Sequence, residues 1–145
     1  MALLVFVLLT AAAAVFGAMF GPGDWYVGLA KPAWTPPNWV FGPVWTVLYL
    51  MIAVAGWLVW RGGHGRPLLF WGIGLALNAT WSWLFFGRHL TGAALVDIVA
   101  LWLAIAAFIW SAWGASRTAS LLFVPYLAWV TLATALNFAI WRLNA

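Results

Sequence analysis

The sequence predicts an all-α membrane protein built as a single bundle of five transmembrane helices. Hydrophobic residues make up 68% of the 145 residues and charged residues only 6%, and the apolar residues fall into long runs without alternation. With a mean hydropathy of +1.06, a water-soluble domain would have too few polar side chains to cover its surface. Apolar runs without a period of two indicate helices, because each span in lipid must satisfy its own backbone hydrogen bonds. The chain is therefore expected to be an integral, multi-pass membrane protein.

Five apolar segments are long enough to cross a hydrocarbon core of about 30 Å, which takes about 20 helical residues. The predicted spans one to five are residues 3–20, 39–60, 68–86, 92–113 and 119–141. We expect them to form one domain that covers residues 1–145. The Lys and Arg residues are divided almost equally between the two sides, so the positive-inside rule favours neither orientation.

Span one has an alternative interpretation, because its apolar run and small residues resemble the cleavage zone of a signal peptide, although a basic start is missing. Ala13, Gly17 and Gly21 follow one another at four-residue intervals. A stripe of small residues lets another helix approach closely, which favours a retained span.

The stretch KPAWTPPNWVFGPVWTVLY, residues 31–49, places four prolines and three tryptophans at the start of span two. The first three prolines cannot lie in a helix interior and bias the residues before them toward extended geometry, so residues 31–38 are predicted to be a stiff loop. Pro43 is expected within the first turn of span two, where a missing N–H costs little. We interpret the stretch as a Pro/Trp-rich lid between spans one and two. The alternative is an interfacial belt, since Trp and Tyr favour headgroup depth.

Several indoles and amides lie well inside the predicted spans, where lipid offers no hydrogen-bond partner. Asn78 and Trp81 share a face of span three, Trp129 and Asn137 share a face of span five, and Trp102 lies inside span four. Such groups can simply bond neighbouring helices. If they converge on one cavity instead, they describe a pocket for a large flat ligand.

Asp97, about two turns into span four, is the only acid inside a predicted span. A charge there costs about 2.5 to 3.5 kcal/mol at mid-bilayer, so the carboxylate is expected to have a partner. Arg88 and His89 on the preceding loop are the candidates, in an ion pair or a helix cap, and a proton relay is the alternative.

The composition excludes several classes of function. The chain has no Cys, and its only acids are Asp24 and Asp97. It therefore offers no thiolate, no paired carboxylates, no three-ligand metal cluster, no Ser–His–Asp set and no phosphate-binding glycine loop. Hydrolases, kinases and metalloenzymes are excluded, and no metal site is expected. The basic residues are scattered, which argues against a nucleic-acid partner.

Five segments carry a specific resemblance. They are WYVGLAKPAWTPPNWVFGPVWTVLY, LALNATWSWLFFG, ALVDIVALW, FVPYLAW and ATALNFAIWR. In order and spacing they resemble the translocator protein / tryptophan-rich sensory protein (TspO/MBR) family, over nearly the whole chain. The most specific elements are KPxWxPPxWxFxxxWxxLY and PYLxW.

The resemblance implies a bundle of five membrane helices, often a homodimer, with a pocket that the first long loop closes. It also implies a receptor or sensor that binds porphyrins such as protoporphyrin IX and haem, sterols in animal relatives, and benzodiazepine-site drugs, with no obligatory cofactor. Transport of tetrapyrroles or sterols is the alternative. Carried over by position, the implied ligand-binding residues are Tyr26, Trp34, Trp39, Trp45, Asn78, Trp81, Trp129, Ala133, Leu136, Asn137 and Phe138.

Some family members promote light- and oxygen-dependent breakdown of protoporphyrin, a reaction linked to two pocket tryptophans. One matches Trp45, the candidate catalytic residue, and the other matches Phe138, which supplies electrons poorly. We therefore expect binding ahead of turnover. The acidic edge of a porphyrin would want a cation nearby, for which Lys31 and Arg142 are the candidates. Axial ligation of haem by His64 or His89 is the alternative to ordinary solvated loop histidines.

Two further elements follow from the resemblance. The family's sterol pattern is present in altered form as Leu136, Phe138 and Arg142, with Phe138 where the pattern has Tyr. Its alternative is an ordinary helix end with Arg142 reaching toward headgroups. Relatives dimerise through span three, where small residues recur at four-residue intervals, so this ridge is the expected homodimer seam and internal packing the alternative. The ridge consists of Gly72, Ala76 and Thr80.

Overall fold

The computed structural model describes residues 1–145, and all of its regular elements are helical. The helices are α1 (Ala2–Ala18), α2 (Gly23–Val27), α3 (Asn38–Arg61), α4 (Gly65–Ser82), α5 (Thr91–Ala112), α6 (Arg117–Leu122) and α7 (Val124–Asn144). A π-helical turn, Trp83–Gly87, extends α4.

Four stretches are long and apolar enough to cross a membrane. They are Asn38–Arg61, Gly65–Gly87, Thr91–Ala112 and Arg117–Asn144. Each begins and ends within three residues of predicted spans two to five, so these four predictions are confirmed. The protein is a multi-pass integral membrane protein. Helix α1 is equally apolar but has 17 residues, or about 26 Å at a rise of about 1.5 Å per residue.

The start of α3 differs from the prediction. The helix begins at Asn38, directly after the extended Pro37, and the amide of Val40 donates to the Pro37 carbonyl at 3.0 Å. Pro43 therefore lies in the second turn rather than the first, where its missing N–H leaves the Trp39 carbonyl without its usual donor. The stiff loop therefore ends at Pro37, one residue earlier than predicted.

The last membrane stretch is interrupted for one residue, Phe123, shortly before Pro125. Helix α6 ends at Leu122, and α7 restarts at Val124 with Pro125 in its first turn, where a missing N–H is harmless. The connecting Phe123 is buried, and its ring stacks on Phe108 of α5 with centroids 3.9 Å apart. The break is thus anchored in the apolar core.

The main core lies among α3, α5 and α7, and α1 packs against its side. Gly56 of α3 sits under two rings, Phe6 of α1 and Trp71 of α4, and the Trp71 indole donates to the Ile52 carbonyl at 2.8 Å. At the other end of α1, a Cβ on Gly17 would lie 3.2 Å from the Ser82 hydroxyl oxygen. Gly17 of the small-residue stripe therefore lies close to a second helix, whereas Gly21 lies beyond the end of α1 and its Cβ would meet no atom within 4 Å.

Candidate functional site

A cavity of about 510 Å³ lies between α1, α3, α4 and α7, next to α2. Of its 23 lining residues, 14 are hydrophobic, so polar groups are few and their positions matter. Eight of the eleven residues that the sequence predicts for a ligand site line it. They are Tyr26, Trp45, Asn78, Trp81, Trp129, Ala133, Leu136 and Asn137.

Aromatic rings form two sides of the cavity. On one side Trp129 of α7 stands edge-on to two rings of α3, with centroids 5.6 Å from Phe41 and 6.5 Å from Trp45. On the other side Trp81 of α4 stacks on Phe85 of the π-helical turn at 5.1 Å. Edge-to-face and stacked pairs at these distances hold one another in place, so the walls are preformed rather than collapsed.

A chain of polar groups crosses the cavity floor. Asn78 is buried on α4, and its amide nitrogen donates to the Tyr126 phenol oxygen on α7 at 2.7 Å. The Tyr49 hydroxyl of α3 donates to the Asn78 amide oxygen at 3.3 Å. Three helices are thus tied together at one point, and one side of the chain faces the cavity.

Asn137 is the second buried amide, and it also joins three helices. Its oxygen accepts from the Trp81 indole at 2.9 Å, and its nitrogen donates to the Thr91 carbonyl at 2.9 Å. Asn78 and Asn137 therefore bond neighbouring helices and also line the cavity.

The indoles inside the spans differ in their bonding. The Trp81 indole donates to Asn137, as expected for an N–H group inside a span, and Trp102 donates to the exposed Thr131 hydroxyl at 2.8 Å. Trp129 has no partner for its buried Nε1. The wall of the cavity thus contains one donor that the protein itself leaves unpaired.

Three of the predicted ligand-binding residues do not line the cavity. They are Trp34 of the Pro/Trp-rich loop, Trp39 of α3 and Phe138 of α7. Trp34 and Trp39 are 50% and 75% exposed, and Phe138 is 51% exposed on the outer side of α7. The interpretation as an aromatic lid is not supported for these residues, whose exposure suits an interfacial position. Near α2 the wall is formed by Phe20, Pro22 and the buried Tyr26, of which sequence reasoning found only Tyr26.

Hydrogen bonds from Lys31 hold the segment around α2 in place. The Lys31 ammonium donates to the carbonyls of Tyr26 at 2.8 Å and Leu29 at 3.1 Å, and it lies 4.7 Å from the centre of the Tyr26 ring. Lys31 therefore closes the end of α2 and is not free to meet an acidic ligand. Burial raises the pKa of the Tyr26 phenol, which keeps this part of the wall uncharged.

Two long-range contacts attach the same segment to the bundle. The side-chain amide of Asn144, near the end of α7, accepts from the Ala30 amide at 3.1 Å and donates to the Ala30 carbonyl at 2.9 Å. On α2, the Trp25 ring stacks on His89 with centroids 4.0 Å apart and planes 4° from parallel. His89 is exposed, and one face of its ring packs against Trp25.

The expected ion pair of Asp97 is wrong. The carboxyl is buried, and its Oδ2 has no hydrogen-bond partner. Arg88 lies over the Trp83 ring at 5.9 Å, and His89 is stacked on Trp25, so neither reaches it. The short loop turns both side chains toward aromatic rings, so proximity in sequence does not bring either of them to Asp97.

The ridge of α4 lies on the outside of the bundle. Gly72 and Ala76 are exposed, and a Cβ on Gly72 would meet no atom within 4 Å. Gly72 and Ala76 are therefore not packed inside the bundle, and Thr80 is half-buried. The sterol pattern does not lie on one surface, since Leu136 is buried at the cavity while Phe138 and Arg142 face outward.

A sequence profile of the TspO/MBR family matches residues 6–142 of the chain. The chain belongs to the TspO/MBR family. This TspO/MBR protein is 39% identical to Protein CrtK of Rhodobacter capsulatus, over 97% of its own length and 91% of the relative. It is 42% identical to the Tryptophan-rich sensory protein of Cereibacter sphaeroides, over 97% and 90% of the two chains. It is also 42% identical to the human Translocator protein, over 88% and 81%.

Proposed function

We propose that this protein is a membrane receptor of the sensor type that binds porphyrins such as protoporphyrin IX or haem in the cavity between its helices. The observation that carries the proposal is the lining, in which Trp45, Trp81 and Trp129 from three helices surround one space with two buried amides. Relatives named tryptophan-rich sensory protein and translocator protein support a receptor role over an enzymatic one. No obligatory cofactor is needed.

The cavity suits a flat aromatic ligand in size and polarity. Its volume of about 510 Å³ lies within the range of about 300 to 1,000 Å³ that is usual for ligand sites. No Lys or Arg lines it, so we propose that the apolar macrocycle enters the interior while the acidic groups stay at the mouth. Asn38, Gly42 and Thr46 are exposed residues of the wall and mark that mouth.

We further propose that α1 crosses the bilayer as the fifth span. Ala14, Gly17 and Ala18 of α1 form part of the cavity wall, so the site is incomplete without this helix. A helix of 17 residues is at the lower end of the length that spans a membrane, which local thinning of the bilayer accommodates at modest cost.

Binding is favoured over breakdown of the ligand, and porphyrins over sterols. Of the two positions linked to porphyrin breakdown in relatives, only Trp45 lines the cavity, while Phe138 lies outside it. Photo-oxidation is therefore at most a weak side activity in this proposal. Because Leu136 and Phe138 face different sides of α7, the sterol pattern offers no continuous surface to a sterol.

The proposal is tested by titrating the purified protein with protoporphyrin IX and following the quenching of tryptophan fluorescence. A variant carrying Trp45→Phe and Asn137→Ala is expected to bind at least about tenfold more weakly, because it loses ring contact and an amide hydrogen bond. Trp110→Phe, which removes an indole 75% exposed on the lipid side, is the matched control and is expected to bind normally. Equal affinities in all three proteins would remove porphyrin binding from this cavity.

We also propose that the exposed ridge of Gly72, Ala76 and Thr80 is the seam of a homodimer, since small residues allow close approach of two helices in lipid. Ala76→Leu is expected to convert the dimer to monomer in mild detergent, as measured by light scattering. Ala135→Leu places the same bulk on the exposed face of α7 and is expected to leave the dimer intact. A dimer that survives Ala76→Leu would exclude this seam.

A further inference from the structure

A groove of about 410 Å³ lies on the outer surface of the bundle, between the end of α5 and the first turn of α7. Five of its six lining residues are hydrophobic, and the lining consists of Ala106, Ile109, Trp110, Trp113, Gly114 and Leu127. Trp110 and Trp113 are 75% and 47% exposed, so the groove opens toward the surroundings of the protein. It shares no residue with the cavity described above.

The groove follows one face of α5. Its lining residues from this helix, at positions 106, 109, 110 and 113, are spaced as the residues of a single helix face are. From Ala106 to Trp113 the helix rises about 10 Å, roughly a third of a hydrocarbon core of about 30 Å. The groove therefore runs inward from the end of a membrane span, which gives it the direction of a lipid acyl chain.

A cation lies at the outer end of this groove. The Arg117 guanidinium lies over the Trp113 ring, 4.7 Å from its centre, in a cation–π contact. The hydrogen bonds nearby are made by Ser116, which caps α6, and by Ser120, and Arg117 takes part in neither. Its side chain is exposed, so the N–H donors of the guanidinium are available to an anion at the membrane surface.

The protein offers this cation no acid. The only acidic residues of the chain are Asp24 and Asp97. Asp97 lies 16 residues before Trp113, about 24 Å away along the helix axis. Asp24 is on α2, which packs against the loop before α5 and so lies at the opposite end of that helix. An anion that pairs with Arg117 therefore comes from outside the protein.

The same end of the bundle carries two more cations. Because α4 returns across the membrane between α3 and α5, the turn that joins α3 to α4 lies at the same end as Trp113. Arg61 and Arg66 flank this turn, which contains no acid. Arg61 lies over Trp57, 4.5 Å from the ring centre, but Trp57 does not line the groove. This end therefore attracts anionic lipid, and at Arg117 the charge lies beside an apolar groove.

We propose that the groove binds one anionic phospholipid, with an acyl chain against Trp110 and Leu127 and the phosphate on Arg117. Arginine pairs with phosphate through charge-assisted hydrogen bonds, and a Trp ring such as that of Trp113 favours headgroup depth. A zwitterionic phospholipid has the same chains and the same phosphate, but the cation of its own headgroup offsets the charge. An anionic phospholipid is therefore preferred. The site is independent of porphyrin binding, because the groove and the cavity have separate linings.

Native mass spectrometry of the detergent-solubilised protein tests the role of the charge. The anionic probe is dioleoylphosphatidylglycerol, and the zwitterionic probe is dioleoylphosphatidylcholine, which has the same acyl chains. Wild type is expected to bind the first phosphatidylglycerol about fivefold more tightly than phosphatidylcholine, the usual effect of one Arg beside an anionic lipid surface. Arg117→Gln is expected to bind the two lipids equally. Arg61→Gln, the matched control, removes a cation over a Trp ring at the same end and is expected to keep the preference.

Ala106→Phe tests the groove separately from the charge, because it fills the inner end of the groove and retains Arg117. It is expected to weaken the binding of both lipids, since both place a chain there. Leu103→Phe, at a position of α5 that is 58% exposed and outside the groove, is the matched control and is expected to bind as wild type does.

Several outcomes would overturn this lipid site. A preference for phosphatidylglycerol that survives in Arg117→Gln would show that the charge of Arg117 does not hold the lipid. Equal losses in Arg117→Gln and Arg61→Gln would assign the preference to the charge of the whole end. Undiminished lipid binding in Ala106→Phe would place the chain elsewhere. If Ala106→Phe instead converts a dimer to monomers in the same spectra, the groove is an interface between two copies of the chain.

Discussion

Replacing Gly56 by alanine is expected to destabilise the protein by about 1 to 3 kcal/mol, the usual cost of inserting an atom into a well-packed core. A Cβ at this position would lie 2.5 Å from Cε2 and Nε1 of Trp71 and 2.9 Å from Cδ1 of Phe6. Contacts that short are repulsive, so at least one ring has to move. The effect is large for a single methyl group because three helices meet at this glycine.

Neither ring can move freely. The Trp71 indole is 5% exposed and donates to the Ile52 carbonyl of α3 at 2.8 Å, so shifting it breaks a buried hydrogen bond. Phe6 stands edge-on to Trp71 with centroids 5.1 Å apart and packs against Trp60 on its other side. The strain therefore has to be relieved by separating α1 or α4 from α3, which loses packing over a wider area.

Unfolding in sodium dodecyl sulfate, followed by circular dichroism in mixed micelles, measures the effect. Gly74→Ala is the matched control, because it makes the same change inside α4 where a Cβ would make only ordinary contacts, none shorter than 3.8 Å. Alanine is favoured over glycine in a helix interior by about 1 kcal/mol, so the control is expected to be neutral or stabilising. Equal shifts for both variants would mean that backbone preference alone, and no clash with Trp71, sets the response.

The sequence predicts the membrane helices well because a single physical requirement shapes them. A span must be apolar over its whole length, so spans two to five are found within three residues of their ends. The start of α3 shows where this signal fails. Three prolines before Asn38 predict a stiff loop, but they do not say at which residue the helical hydrogen bonds begin, and the helix starts early enough to include Pro43 in its second turn.

The residues of the site are predicted where helix geometry decides their direction. Trp129, Ala133 and Asn137 lie at four-residue intervals on α7 and line the cavity together, as their spacing predicts. Phe138 follows Asn137 directly, which turns it about 100° around the helix, so the same geometry argues against placing it in the pocket beside Asn137. Its inclusion came from the family pattern alone, and the structure places it outside.

Other parts of the site carry no usable signal in the sequence. The orientation of Trp34 depends on the path of an irregular loop, and the contact of Ala30 with Asn144 joins residues 114 positions apart. The same holds for Asp97, which is buried and whose Oδ2 has no hydrogen-bond partner. Proximity along the chain favoured Arg88 and His89, but only the packing of α5 against α7 determines which groups face the acid.

Ala133→Phe is expected to weaken binding of protoporphyrin IX by about 100-fold or more, equivalent to about 2.8 kcal/mol. Ala133 is a small residue in the wall, one turn from Trp129 and next to the layer that contains Leu136 and Asn137. A phenyl ring there points into the space that the macrocycle needs. That space lies between the wall formed by Trp45 of α3 and Trp129 of α7 and the wall formed by Trp81 of α4. The ligand cannot shift sideways to avoid it, because both walls are held by ring contacts and by the amide hydrogen bonds of Asn137.

Ala135→Phe separates this blockage from a general effect of bulk on α7. Ala135 lies two residues further along the same helix, about 200° around it, and is exposed on the outer face, where lipid accommodates an added ring. The control is expected to bind protoporphyrin IX like wild type in the same fluorescence titration, and both variants are expected to keep the helical circular dichroism spectrum. Undiminished affinity in Ala133→Phe would place the ligand elsewhere on the protein. Equal losses in both variants would instead mean that α7 tolerates no aromatic substitution in this region, whichever way the side chain faces.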